Sequence, residues 1–405
     1  MDGAVVETRY GRVRGRMEGA VRVWKGIPYA RPPAGPLRYR PPEPPEPWTG
    51  VRDALDFAPA ALQPGGRHPQ TDEDCLYLNV WAPGVSGPPR PVMVWIHGGG
   101  FMAGSGSDPV FDGTSFAERC GVVLVTFNYR LGVMGFLDLR HVAGAGYERS
   151  GQLGMLDQLA ALRWVRDNIA AFGGDPDCVT VFGQSAGGRS VGLLLALPEA
   201  RGLFHRAIVM GARLQQYRSP EQARRMTDDY LAALGLDGRR WRDLLEMDAG
   251  RLMAASPPLR PDIGFEPTVG AGLFPRLPLE LLAAEETACD IPVMIGWARD
   301  EITPFFDPAW NGWGMEDIAA HLERRYGPSW RKAWAVAGEK YSAPDLHRMA
   351  KLLTFRDFAF PAFRLGEIQS SRGAPCWVYR FDYAPAETGF APHGVEVPFV
   401  FNRLG

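Results

Sequence analysis

Short runs of apolar, largely β-branched residues bounded by Gly, Pro or Asp recur along the chain: Val92 to Ile96, Val122 to Asn128, Val179 to Gly183, Ala207 to Met210, Val293 to Gly296 and Trp377 to Asp382. Their nearly unbroken hydrophobicity predicts strands buried on both faces. Between them lie stretches with helical spacing, notably Gly154 to Phe172 and Ala186 to Leu197. Alternating strand and helix predicts an α/β fold around a mostly parallel sheet. The first hundred residues differ: short strands at Val5 to Arg14, Ala20 to Tyr29 and Leu76 to Trp81 are separated by Pro-rich turns such as RPPAGP and RPPEPPEP. That pattern predicts an antiparallel edge. Helical spacing dominates again over Ser219 to Ala255 and Met315 to Phe363, so residues 219–290 and 303–363 are read as helical cap segments on one catalytic domain, 1–405.

Apolar residues make up 46% of the 405, enough for a large core, so disorder and coiled coil are set aside. Forty-four basic and 46 acidic residues leave a net charge of −2, which gives no electrostatic footprint for nucleic acid or an anionic membrane. The longest apolar stretch, around Val191 to Leu197, is far short of the ~18 residues of a membrane span. Charges interrupt the N-terminal region everywhere a signal peptide would need an apolar run. The five cysteines (75, 120, 178, 289 and 376) are widely spaced with no CxxC pair, against both a disulfide framework and a zinc site. Reduced thiols, a cytoplasmic location, and no metal or cofactor are expected.

Candidate chemistry concentrates in VTVFGQSAGG, residues 179–188, where Ser185 occupies a Gly-x-Ser-x-Gly pattern at a strand-to-helix junction. A sharp turn there strains the serine backbone and exposes its hydroxyl, and the flanking Gly183 and Gly187 have no Cβ to obstruct it. A second match, at Ser190, falls inside the following helix and is read as structural. A serine hydroxyl needs a base and a third group to hold that base. In the order Ser, acid, His the base comes late, which leaves His321, His347 and His393. The first two sit in Arg- and Glu-rich helical stretches and are read as solvated side chains. His393, in APHGVEVPF beyond the strand at Trp377, belongs to a loop at the carboxyl end of the sheet. The acid follows the strand IPVMIGWARD, where Glu301 and its neighbour Asp300 compete on spacing alone. The glycine run WIHGGGF, 95–101, supplies exposed amide donors, so Gly99, Gly100 and Ala186 are the candidate oxyanion hole.

At this point the chain strongly resembles the type B carboxylesterases, the family that includes the cholinesterases. The likeness runs through WKGIPYARPPAGPLRYRPP, EDCLYLNVWAP, WIHGGGF, NYRLGVMGFL, GMLDQLAALRWVRDNIAAFGGDPDCVTVFGQSAGG and PHGVEVPFVF. It implies the α/β-hydrolase fold and a serine carboxylic-ester hydrolase acting on a small-molecule ester. It implies Glu301 as the acid, with Ser185 and His393, and buried ion pairs Arg38–Glu73 and Arg130–Asp157 as scaffold. Departures also stand out. Gln184 replaces the family's usual glutamate before the serine, Ile302 follows Glu301 in place of glycine, and Gly211-Ala212 replaces a Ser-Gly pair. Cys75 has no disulfide partner upstream, and no Trp stands where cholinesterases hold a quaternary ammonium, so a choline ester is not the expected substrate. The chain stops twelve residues after His393, near a free terminus where fraying is common, so either another interaction holds the histidine loop or activity and stability suffer. A non-catalytic binding module on the same fold is the alternative reading, disfavoured by retention of Ser185, Glu301 and His393.

Overall fold

Nine strands form the central sheet, in chain order β1 Arg16–Glu18, β2 Val21–Pro28, β3 Tyr77–Pro83, β4 Arg90–Ile96, β5 Val123–Phe127, β6 Gly174–Gln184, β7 Arg206–Met210, β8 Val293–Ala298 and β9 Cys376–Phe381. This is a computed structural model describing residues 4–65, 68–256, 264–284, 290–303, 307–340 and 344–404. The spatial order is β9-β8-β7-β6-β4-β5-β3-β2-β1. From β9 to β5 every neighbouring pair is parallel. The pairs β5–β3, β3–β2 and β2–β1 are antiparallel, which is the edge the Pro-rich opening predicts. The chain thus has the α/β-hydrolase fold, and its parallel strands β4 to β6 carry Val92, Val94, Ile96, Val123, Val125, Val179 and Val181 at 0% exposure.

One predicted strand is two. Val5–Thr8 and Gly11–Arg14 form a hairpin that joins Val51–Asp53 in a separate sheet. The Thr8 hydroxyl donates to Gly11 O at 2.7 Å and accepts from Tyr10 N at 3.2 Å, closing the turn, while Gly11 adopts φ 143°. A local side-chain turn of this kind is invisible to hydrophobic periodicity.

Helix α1, Leu153–Asn168, is buried along most of its length and packs inside the protein. Helix α2, Ala186–Leu195, is buried at every residue and runs directly out of β6. Further helices include Pro220–Ala233, Met315–Tyr326 and Trp330–Lys340. Helix α3, Asp345–Thr354, continues through a π-helical turn, Phe355–Ala359, into α4, Phe360–Ser371. Among the described residues no helix is long and apolar enough to cross a membrane.

The last described residues pack back onto the domain. Phe401 is fully buried, with its ring 5.1 Å from Trp95, 5.3 Å from Phe111, 5.3 Å from Phe116 and 6.1 Å from Phe182. Arg403 adds an ion pair with Asp112. The loop carrying His393 is thus followed, eight residues downstream, by a buried aromatic contact.

Both scaffold ion pairs form. Arg38 Nε donates to Glu73 Oε2 at 2.7 Å, and Arg130 grips Asp157 through Nε at 2.8 Å and Nη2 at 2.6 Å. Asp157 is 0% exposed and also accepts from Arg130 N, which satisfies the buried charge. Cys75, Cys120, Cys178 and Cys376 are free thiols, and Cys289 lies outside the described residues.

Candidate active site

Ser185 sits between β6 and α2 with φ 60° and ψ −122°, a left-handed conformation that a non-glycine residue adopts only when its surroundings enforce it. Ser185 N–H donates to Met210 O at 3.0 Å, and Ser185 O accepts from Arg189 N at 2.8 Å, so the turn is held from both sides. The glycines are there for space. A Cβ on Gly187 would lie 1.9 Å from Ile96 O, and one on Gly183 would lie 2.6 Å from Gly187 C. Strand β4, β6 and the start of α2 therefore approach more closely than side chains allow. Ser190, by contrast, accepts from Gln158 Nε2 at 3.0 Å inside the core.

His393 Nε2 lies 2.8 Å from Ser185 Oγ. Its Nδ1 meets Glu301 Oε2 in a short hydrogen bond, and Glu301 is 0% exposed. Glu301 Oε1 accepts from Ala298 N at 2.8 Å, which fixes the carboxylate. Asp300, the competitor on spacing, faces elsewhere. It accepts from Ala391 N at 2.9 Å and Arg299 Nε at 2.9 Å, and is paired with Lys351. Burial pushes the Asp300 carboxyl up, but Lys351, the Ala391 amide and Arg299 outweigh it and hold the group below the usual range. Adjacent acidic residues thus divide two tasks, one on the loop and one on the imidazole.

The glycine run follows β4 and crosses the serine: a Cβ on Gly98 would stand 3.1 Å from Ser185 Cβ. Gly99 and Gly100 have φ 112° and 64°, and Gly99 O accepts from Met102 and Ala103 at 3.0 Å, curling the loop back. Tyr129 supports it, donating to His97 O at 2.9 Å and stacking on the His97 ring at 4.4 Å. Among the described residues no protein acceptor engages the N–H groups of Gly99, Gly100 or Ala186.

Phe358, Thr354 and Glu396 escaped the sequence reading. Phe358, placed by the π-helical turn, stands 5.6 Å from the His393 ring, and Ile302 N donates to Thr354 Oγ1 at 3.1 Å to tie that turn to the Glu301 corner. Gln184 Nε2 lies 3.4 and 3.3 Å from the two His393 ring nitrogens, both of which already have partners. Glu396 is 2% exposed, and among the described residues neither carboxylate oxygen has a hydrogen-bond partner. Burial first, then the charge of Glu301, pushes its carboxyl up to about 7 against the opposing pull of its own amide and His393. A glutamate three residues past a histidine gives no sequence signal for this. His321 and His347 are not the solvated side chains expected. His321 packs against Trp310 and Trp313 at 5.8 and 5.3 Å, where burial and the charges of Arg325 and Arg324 lower it to about 4; His347 lies 5.8 Å from Phe390.

A model of the carboxylesterase family matches residues 2–404. The chain belongs to the carboxylesterase family. It is 41% identical over 420 residues to para-nitrobenzyl esterase of Bacillus subtilis (strain 168), an alignment spanning 100% of this chain and 84% of that protein. It is 37% identical over 423 residues to phenmedipham hydrolase of Pseudarthrobacter oxydans, spanning 99% and 83%. Among solved structures, carboxylesterase EST55 of Geobacillus stearothermophilus superposes with a TM-score of 0.93 at 45% identity, covering 99% of this chain and 84% of that one. The protein is accordingly a carboxylic-ester hydrolase.

Proposed function

We propose that this carboxylesterase works through an acyl-enzyme formed on Ser185, with His393 as general base and acid and Glu301 as the group that orients it. Supporting this reading above all is the continuous contact from Glu301 through His393 to Ser185 Oγ, with Nε2 at 2.8 Å from the hydroxyl. As Oγ attacks the carbonyl carbon, its proton passes to His393 Nε2 and the carbonyl π pair moves onto oxygen. Buried Glu301 stabilises the resulting imidazolium. The N–H groups of Gly99, Gly100 and Ala186 receive the oxyanion, Ala186 with the help of its position at the start of α2. Collapse breaks the bond to the alcohol oxygen, which leaves with the proton from Nε2. Water, deprotonated by the same nitrogen, then releases the acid and frees Ser185. Small-molecule esters are the substrate class, and the four free thiols among the described residues favour a reducing, cytoplasmic setting.

Ser185→Ala tests this. Turnover of a short p-nitrophenyl ester should fall about 10⁴-fold or more in a protein of unchanged thermal transition. Wild-type rates in that variant would end the proposal.

A further inference from the structure

The turn that follows β4 runs to Gly104 without a helix or strand of its own, so side-chain contacts must supply its rigidity. One side chain from a distant segment holds both polar backbone groups of Gly104. Gln63 Oε1 accepts from Gly104 N at 2.8 Å and Gln63 Nε2 donates to Gly104 O at 3.0 Å, so the carboxamide pairs with the backbone as a neighbouring strand would. The same Nε2 donates to Ala61 O at 3.0 Å, which occupies both of its N–H groups. Gln63 is 9% exposed and follows Ala60–Ala61, a short strand paired in parallel with Thr71–Asp72, so the grip has a fixed base. Asn128 secures the next residues: its Oδ1 accepts from Ser105 Oγ and Gly106 N, both at 2.9 Å, while its Nδ2 donates to Pro59 O at 3.0 Å.

Gly104 in turn lies against the start of the glycine run. A Cβ on it would stand 2.6 Å from Gly98 O and 2.5 Å from His97 Nδ1, and one on Gly99 would stand 1.9 Å from Ala103 O. The two ends of the loop are thus in backbone contact. Gly98 O and Gly99 N–H belong to one trans peptide plane and point to opposite sides of it. Whatever fixes Gly98 O therefore aims Gly99 N–H. The same peptide passes beside the nucleophile, as the 3.1 Å from a Gly98 Cβ to Ser185 Cβ shows.

We propose that Gln63 is a positioning residue for the oxyanion loop: through Gly104 it fixes the Gly98–Gly99 peptide, so that Gly99 N–H meets the oxygen that turns negative as Ser185 attacks. The inference rests on the reading of Ser185 as nucleophile and Gly99 as oxyanion donor. A donor stabilises the developing charge only when it is aimed beforehand. Loss of the Gln63 grip therefore weakens binding of the transition state and leaves binding of the uncharged ground state as it was.

The test uses Gln63→Met, which keeps the length of the side chain but removes both hydrogen-bonding groups, and Gln63→Glu, which keeps the shape and an acceptor. Trifluoromethyl hexyl ketone reports on the oxyanion: Ser185 Oγ adds to its carbonyl carbon, the hydroxyl proton passes to His393 Nε2, and the carbonyl π pair becomes the negative oxygen. The corresponding carbinol has no carbonyl and occupies the same pocket without that charge. In whichever variant keeps a cooperative thermal transition, inhibition by the ketone should weaken about tenfold or more while inhibition by the carbinol changes less than about twofold. Its kcat/KM for p-nitrophenyl acetate should fall by the same factor as the ketone affinity. Ketone affinity and kcat/KM within about twofold of wild type, or equal weakening of ketone and carbinol, would overturn the positioning role. Loss of the cooperative transition in both variants would overturn it too, by assigning Gln63 to the scaffold alone. A wild-type protein that binds the ketone no more tightly than the carbinol would end the underlying reading of Ser185 and Gly99, and this inference with it.

Discussion

Asp300 and Ala391 exchange a pair of hydrogen bonds: Asp300 N–H to Ala391 O at 3.0 Å, and Ala391 N–H to Asp300 Oδ2 at 2.9 Å. This clamp joins the end of β8 to the residue two before His393, while the next side chain, Glu301, holds the imidazole itself. Loop position and ring orientation are therefore set by adjacent residues through separate contacts. Asp300→Ala should cost about 3 kcal/mol of stability, because it strips a buried carboxylate from Lys351 and Arg299, and lower kcat about tenfold by loosening the loop. Glu301→Gln should show the reverse balance, with a small change in urea midpoint and a kcat loss of about 10³-fold or more. Equal effects of the two variants on both readouts would refute the division.

Phe401 provides the second anchor of the same loop. Its truncation in Phe401→Ala empties the space between Trp95, Phe111 and Phe116 and should destabilise the protein by about 3–5 kcal/mol in chemical denaturation. A change under about 1 kcal/mol would mean that the aromatic cluster closes without it.

Gly187 and Gly100 separate space from strain. A methyl on Gly187 meets Ile96 O at 1.9 Å, so Gly187→Ala should cost more than about 3 kcal/mol or abolish folding. Gly100 has open space around its missing Cβ and φ 64°, so Gly100→Ala should cost only about 1–2 kcal/mol. Thermal melts of the pair decide this by their order.

Glu396 gives the stability a pH signature. Its carboxyl, raised from 4.5 to about 7, binds more protons folded than unfolded between those values. Stability is therefore fully present below about 4.5 and falls as pH rises through about 7. Glu396→Gln removes the titrating group, so its advantage over wild type should grow across that window to roughly 2–3 kcal/mol above pH 8. Denaturant midpoints at pH 5 and pH 8 check this, and parallel shifts of both proteins would contradict it.

Much of this architecture was legible in the residues because it depends on local pattern. The six parallel strands read as apolar runs, and the sharp turn at Ser185 read as a glycine-flanked junction between strand and helix. Spacing alone could not part Glu301 from Asp300, since both leave the same strand; the difference lies in which one meets Ala391 across the fold. The placement of His321 among tryptophans, the isolation of Glu396 and the pairing of Arg213 with Phe358 arise from contacts between segments far apart in sequence. The contact that holds the tail is a single aromatic side chain, Phe401, whose partners come from β4, β6 and the segment between Phe111 and Phe116.

The central claim is that Ser185 becomes acylated. Intact-mass and peptide mass spectrometry of the protein, acid-quenched within the burst phase of p-nitrophenyl acetate hydrolysis, tests it directly. The account predicts one acetyl group per chain, on the peptide containing Ser185, absent from Ser185→Ala. Rapid hydrolysis with no acetyl group on that peptide, or acetylation at another residue that turns over at the steady-state rate, would contradict it.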